Sequence, residues 1–115
     1  MRALVCGDRN WTNVAAIRQR LQQLPADTII IEGEARGADR AAAEAARQLG
    51  LSVLRFPADW GRYGKAAGAR RNREMLDANP DLVIAFHPDL SRSKGTADMV
   101  RIARKAGVPV EVHHA

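Results

Sequence analysis

Three glycine-bearing segments of this chain carry residue types that hold an anion. Gly7-Asp8-Arg9-Asn10-Trp11 follows the apolar run Ala3 to Cys6. Gly33-Glu34-Ala35-Arg36-Gly37-Ala38-Asp39 follows Ile29-Ile30-Ile31-Glu32, and Ser93-Lys94-Gly95-Thr96 opens a stretch of helical periodicity. Glycine lets backbone N–H groups approach a ligand closely, and the unpaired N–H groups of a helix N-terminus favour negative charge. The second segment has the spacing G-x-x-x-G leading straight into a helix, so that amides and helix dipole would point the same way. It is neither the dinucleotide fingerprint G-x-G-x-x-G nor the phosphate loop G-x-x-x-x-G-K-[ST]. Arg36 suits bidentate phosphate binding, Lys94 supplies a point charge, and Thr96 adds a hydroxyl. Asp8 or Asp39 can take a ribose hydroxyl. Thr12, Asp39 and Thr96 also suit helix caps, with Trp11 then packed as a lid on the sheet edge.

A fourth segment, Ala58 to Met75, is too rich in glycine and aromatic residues for a plain crossover. Its Lys65, Arg70, Arg71 and Arg73 begin a helix, where their charge opposes the dipole, so a bound anion or an acidic partner is expected to compensate them; a solvated basic face is the plainer reading. Other reactive types are sparse. Cys6 stands alone inside an apolar run and reads as a small buried side chain. His87 is isolated, and His113 and His114 read as a solvated tail. No spacing of histidine, cysteine and carboxylate suggests a metal, and no cofactor is implied.

These segments need a scaffold that brings them together. Short apolar runs at Ala3–Cys6, Thr28–Glu32, Ser52–Phe56, Leu82–Phe86 and Val108–Val112 alternate with helical patterns, the signature of crossovers on a parallel sheet. The first helix carries Val14, Ile17, Leu21 and Leu24 on one stripe and stops before Pro25. The second carries Ala38, Ala42, Ala45 and Leu49, with Gly50 as its left-handed cap. The third runs from about Ala66 to Ala78, and the fourth from about Gly95 to Ala106 before Gly107. The expected architecture is α/β: a Rossmann-like three-layer sandwich around a five-stranded parallel sheet of order 3-2-1-4-5, with helices on both faces. In that order ligands bind at the carboxyl ends of strands one and four, where the winding reverses.

At 115 residues the chain is expected to form one domain, 1–115. No apolar run is long enough to cross a membrane, and the first residues do not read as a signal peptide, so a cytoplasmic location is expected. The net charge of +5 invites a nucleic-acid partner. Five aromatic residues make base-stacking platforms of the single-strand type scarce.

Together the segments resemble the SLOG superfamily, the Rossmann-like domains of the SMF/DprA and LOG type, and within it the small YspA-type proteins of bacteria and phages. The resemblance rests on Gly7-Asp8-Arg9 with Trp11, the Gly33–Asp39 loop, and Phe56-Pro57-Ala58-Asp59-Trp60 with Gly64 to Gly68. Arg71-Asn72 with Met75, and Ser93 to Met99, complete it. It implies a nucleotide or nucleotide-derived ligand, often in a homodimer. LOG relatives look like phosphoribohydrolases that use an arginine before the third helix and a glutamate in P-G-G-x-G-T-x-x-E. Arg71 matches that arginine and Gly95-Thr96 the G-T, while the glutamate position falls on Met99. Asp98 is adjacent but about 100° round the helix. Glu34 stands where the small family shows a second glycine. The implied ligand contacts are Gly7, Asp8, Arg9, Trp11, Gly33, Arg36, Gly37, Asp39, Arg71, Asn72, Lys94, Gly95 and Thr96. Binding without chemistry is the preferred reading. The alternatives are hydrolysis of a nucleoside 5′-monophosphate by Arg71 with Asp98, Asp59 or Glu74, and DNA binding through the Lys65–Arg73 cluster.

Overall fold

The β-branched run Ile29-Ile30-Ile31 and the run Leu82 to Phe86 sit in strands that are covered on both faces, as continuous apolar character demands. The computed structural model describes residues 1–115. In chain order the elements are β1 (Arg2–Gly7), α1 (Val14–Gln22), β2 (Ile29–Glu32), α2 (Ala38–Gln48), β3 (Ser52–Arg55), α3 (Trp60–Tyr63), α4 (Ala67–Asp77), β4 (Leu82–Phe86), α5 (Gly95–Lys105) and β5 (Val110–His113). The five strands form one parallel sheet in the order β3-β2-β1-β4-β5, as expected.

Two cores flank the sheet. On one face Val5, Ile30 and Phe86 meet Ile17 and Leu21 of α1 and the alanines of α2. On the other, Leu4, Ile31 and Val83 meet Met75 of α4 and Met99, Val100 and Ala103 of α5. Ala38, Ala42 and Ala46 are fully buried, so α2 lies close to the sheet on methyl groups alone.

The structure differs from the sequence reading at several ends. Val14 is exposed, so the buried stripe of α1 begins at Ile17. The cap of α1 is Asn13 rather than Thr12, its Oδ1 accepting the Ala16 N–H at 3.1 Å. A separate short helix, α3, and a 3₁₀ turn at Gly64–Ala66 precede α4. The last strand lies one to two residues later than expected, and His113 is no solvated tail. It pairs with Phe86 and stacks on its ring, with centroids 4.9 Å apart. A bidentate contact from Arg20 to Glu111, at 2.8 and 2.6 Å, ties α1 to this strand and holds the Glu111 carboxyl down at about 2.

Glu34, at the turn after β2, has φ +58. That left-handed conformation costs a residue with a Cβ roughly 1–2 kcal/mol and costs glycine nothing comparable. Glu34 also pairs with Arg55 at 3.2 Å. Glu34→Ala and Glu34→Gly both remove the pair, so their difference isolates the backbone. Glu34→Gly is predicted to be the more stable of the two by about 1 kcal/mol, read from urea midpoints; the reverse order, normal for an unstrained site, would contradict the assignment.

Candidate functional site

The cleft lies at the carboxyl ends of β1 and β4. It has a volume of about 660 Å³, and its walls come from the loop after β1 (Gly7 to Asn10), from Ala35 and Asp39, from α4 with Trp60 in front of it, from His87, and from Arg92 to Thr96. Gly7 is obligatory here. A Cβ on it would overlap the Phe86 carbonyl and stand 2.7 Å from the Ala38 methyl, so the end of β1 passes between β4 and α2 only without a side chain.

Arg71 and Asn72 link the two walls. Arg71 Nη1 donates to the Gly33 carbonyl, and its Nε donates to Asn72 Oδ1 at 3.2 Å. Asn72 is buried, and its Nδ2 donates to both the Gly95 carbonyl and Asp98 Oδ2 at 3.1 Å. The end of β2, α4 and the start of α5 are therefore held by one run of hydrogen bonds. Arg71 Nη2 is left with no protein acceptor.

At the start of α5 the Ser93 hydroxyl accepts the Thr96 and Ala97 N–H groups, at 3.0 and 3.2 Å. Ser93 rather than Thr96 therefore caps this helix, while the Gly95 N–H stays unpaired at the cleft.

The charges are unbalanced. Arg9, Arg71, Arg92 and Lys94 line the cleft, and none of them pairs with a carboxylate. Against them stand Asp8, whose Oδ1 accepts the Asn10 N–H at 3.0 Å, and the buried Asp39. Burial pushes the Asp39 carboxyl up to about 6, although Arg71 and the amides of Ala35 and Gly33 pull the other way. Behind it, burial and the proximity of Asp39 push Glu32 up to about 7. Burial also raises the Cys6 thiol, so it is no nucleophile at neutral pH. His87 Nδ1 accepts the Asp89 N–H at 3.0 Å, which leaves Nε2 as the protonated nitrogen of the neutral ring.

Of the residues singled out from sequence, Gly7, Asp8, Arg9, Asp39, Arg71, Asn72, Lys94, Gly95 and Thr96 line the cleft together. Four others do not. A Cβ on Gly33 would collide with the Arg71 guanidinium, and one on Gly37, at φ +79, with the backbone of Asp8 and Arg9. The Ala38 N–H donates to the Asp8 carbonyl at 3.1 Å, so the α2 N-terminus is filled by the chain's own loop rather than left for a phosphate. Arg36 points outward, with only a 3.5 Å contact to Asn10. Trp11 packs on Phe86, 5.6 Å between centroids, and donates to the Asn13 carbonyl. Asp98 lies outside the cleft, held by Asn72 on one oxygen and Arg101, at 2.8 Å, on the other. It positions Asn72 instead of facing a ligand. Arg92, Ser93 and Trp60 also line the cleft, beyond the residues singled out from the sequence. A serine three residues before Thr96 is a legible cap signal, whereas the placing of Trp60 depends on tertiary folding.

The model of the YspA, cpYpsA-related SLOG family matches residues 1–63, from β1 through α3. The chain belongs to this family. It is 40% identical over 118 residues to the Gene 61 protein of Mycobacterium phage D29, a match covering 95% of this chain and 93% of that protein. Its fold is also that of DNA processing protein A (DprA) from Streptococcus pneumoniae, with a TM-score of 0.61 at 17% identity over 98% of this chain. The chain spans 59% of that DprA chain. No helix is long and apolar enough to cross a membrane.

The raised carboxyls have a thermodynamic consequence. Glu32 and Asp39 keep protons in the folded chain up to about pH 7 and 6, whereas their ordinary values are 4.5 and 3.8. Between about pH 4 and 7 the folded state binds more protons, so stability from these groups falls as pH rises through that window. Glu32→Gln is predicted to lose less stability than the wild type between pH 5 and pH 8 in urea denaturation. Equal losses would show that Glu32 ionises normally.

Proposed function

We propose that the cleft binds a nucleotide or a nucleotide-derived ligand, and that this SLOG protein senses or sequesters it. The observation that carries the reading is the set of four cleft cations without a carboxylate partner, Arg9, Arg71, Arg92 and Lys94. Unpaired like charges gathered in one concavity destabilise a fold unless an anion joins them. The phosphate belongs between the free Arg71 Nη2 and the unpaired Gly95 N–H, a guanidinium nitrogen and a helix N-terminus that line the same cleft. Asp8, which lines the same cleft from the loop after β1, takes a ribose hydroxyl in this reading. A volume of about 660 Å³ suits a ligand of this size.

One observation favours a second reading, hydrolysis of the N-glycosidic bond of a nucleoside 5′-monophosphate. Such chemistry needs a carboxylate near neutrality. Met99 is buried in the core and Asp98 is engaged elsewhere, but Asp39 lines the cleft near Arg71 with its carboxyl pushed up to about 6. In this second reading Asp39 takes the part that the family resemblance assigns to the missing glutamate.

Thermal unfolding with a panel of nucleoside 5′-monophosphates tests the binding reading. Ligand at about 100 times its dissociation constant is predicted to add about 2.7 kcal/mol to the wild type, and nothing measurable to Arg71→Ala. No stabilisation by any member would sink it. Free base is assayed in the same incubations: none is expected from binding alone, and release abolished by Asp39→Asn would establish the second reading instead.

A further inference from the structure

Besides the buried imidazole of His87, the cleft has one aromatic side chain in its lining, Trp60, and its role follows from how it is held. Asp59 begins α3 by accepting the Arg62 N–H on its Oδ1 at 3.0 Å, and the Tyr63 N–H donates to the Asp59 carbonyl, also at 3.0 Å. Gly64, at φ +53, ends that single turn, and a 3₁₀ turn feeds the chain into α4. Trp60 is thus displayed at the head of a short helix that has no buried residue of its own. Its indole lies over Gly68 in the first turn of α4, where an added Cβ would come within 3.3 Å of Cη2. The ring is backed by the one residue type that leaves room for it. Nevertheless 59% of Trp60 is exposed, more than any other large hydrophobic residue of the chain.

A large aromatic residue in water at the rim of a polar, cationic cleft serves no core. The rest of the lining is mainly charged side chains, amides and hydroxyls, which recognise phosphate and ribose; Cys6, Met75 and His87 are buried and Ala35 offers only a methyl, so no other residue presents a broad exposed ring. We infer that Trp60 is the stacking platform for the ligand's nucleobase, so that the cleft discriminates nucleotides from simple sugar phosphates. The inference rests on the nucleotide reading of the site and adds the residue that makes the base count. Stacking tolerates any base, since each has a π-face, and truncating a stacking aromatic to alanine costs about 5- to 150-fold in affinity. Phenylalanine keeps a ring on the same site and retains much of the contact.

Isothermal titration of the full chain with the four common nucleoside 5′-monophosphates and with ribose 5-phosphate tests this directly. Wild type is expected to bind at least one nucleotide about tenfold or more tightly than ribose 5-phosphate. Trp60→Ala should erase that advantage while leaving ribose 5-phosphate within about twofold of wild type, and Trp60→Phe should keep most of it. Because Trp60 is exposed, the alanine variant is expected to fold, and unchanged far-ultraviolet circular dichroism verifies it. If wild type binds ribose 5-phosphate as tightly as every nucleotide, or if Trp60→Ala weakens both ligand types equally or neither, the platform is wrong and the phosphate site stands. If wild type binds neither ligand type, the nucleotide reading falls and the platform with it.

Discussion

A guanidinium laid across the end of β2 organises this molecule. Arg71 occupies the space that a side chain at position 33 would fill, and donates to the Gly33 carbonyl. Hydrogen bonds from a charged donor to a neutral acceptor are worth about 1.5–3 kcal/mol, and this one joins α4 to the loop after β2 at the carboxyl end of the sheet. Through Asn72 the same side chain fixes the first turn of α5, since Nδ2 spans Gly95 and Asp98. Were Arg71 absent, the wall built from α4 and the wall built from α5 would keep their helices but lose their mutual register. One cation is thus a strut across the cleft, with its Nη2 left without a protein acceptor.

That dual use explains the electrostatics around it. Arg71 is the only cation near enough to pull the Asp39 carboxyl down, yet burial prevails and holds it at about 6. Glu32, also buried and with Asp39 beside it, is pushed higher. The protein therefore accepts two buried carboxyls whose ionisation is disfavoured, Asp39 and Glu32, and several unpaired cations around the cleft. A structure optimised for stability alone would pair them. Keeping the cations free leaves charge to be neutralised by something brought from outside, and strain at Glu34 is a further local cost beside the same loop.

Much of the scaffold was legible in the sequence. Ile29-Ile30-Ile31 and Leu82 to Phe86 could only be doubly covered strands, and the alternation with helices led to the 3-2-1-4-5 order and the cleft at its switch point. Arg71, Lys94 and Gly95 were legible as members of one cleft because they stand at helix starts beside the sheet's switch point. What failed was the assumption that a glycine after a strand faces a ligand. Gly33 and Gly37 make room for Arg71 and for the Asp8–Arg9 backbone, which only tertiary packing reveals. Arg36 pointed outward for the same reason, its loop being turned by Glu34 in a conformation that a glutamate rarely takes. Local spacing likewise could not distinguish Thr12 from Asn13 as a cap, nor place Trp60 against a glycine eight residues further on.

Entry of an anionic ligand between Arg71 and the start of α5, as proposed, would be seen directly by two-dimensional ¹H–¹⁵N spectroscopy of the labelled 115-residue chain. On titration with a nucleoside 5′-monophosphate, the account predicts that the largest shifts fall on the Gly95 amide and the Arg71 side-chain N–H groups, with Asp8 and Arg9 following. Shifts confined to the outward basic residues Lys65, Arg70 and Arg73, with Gly95 and Arg71 unmoved, would contradict it.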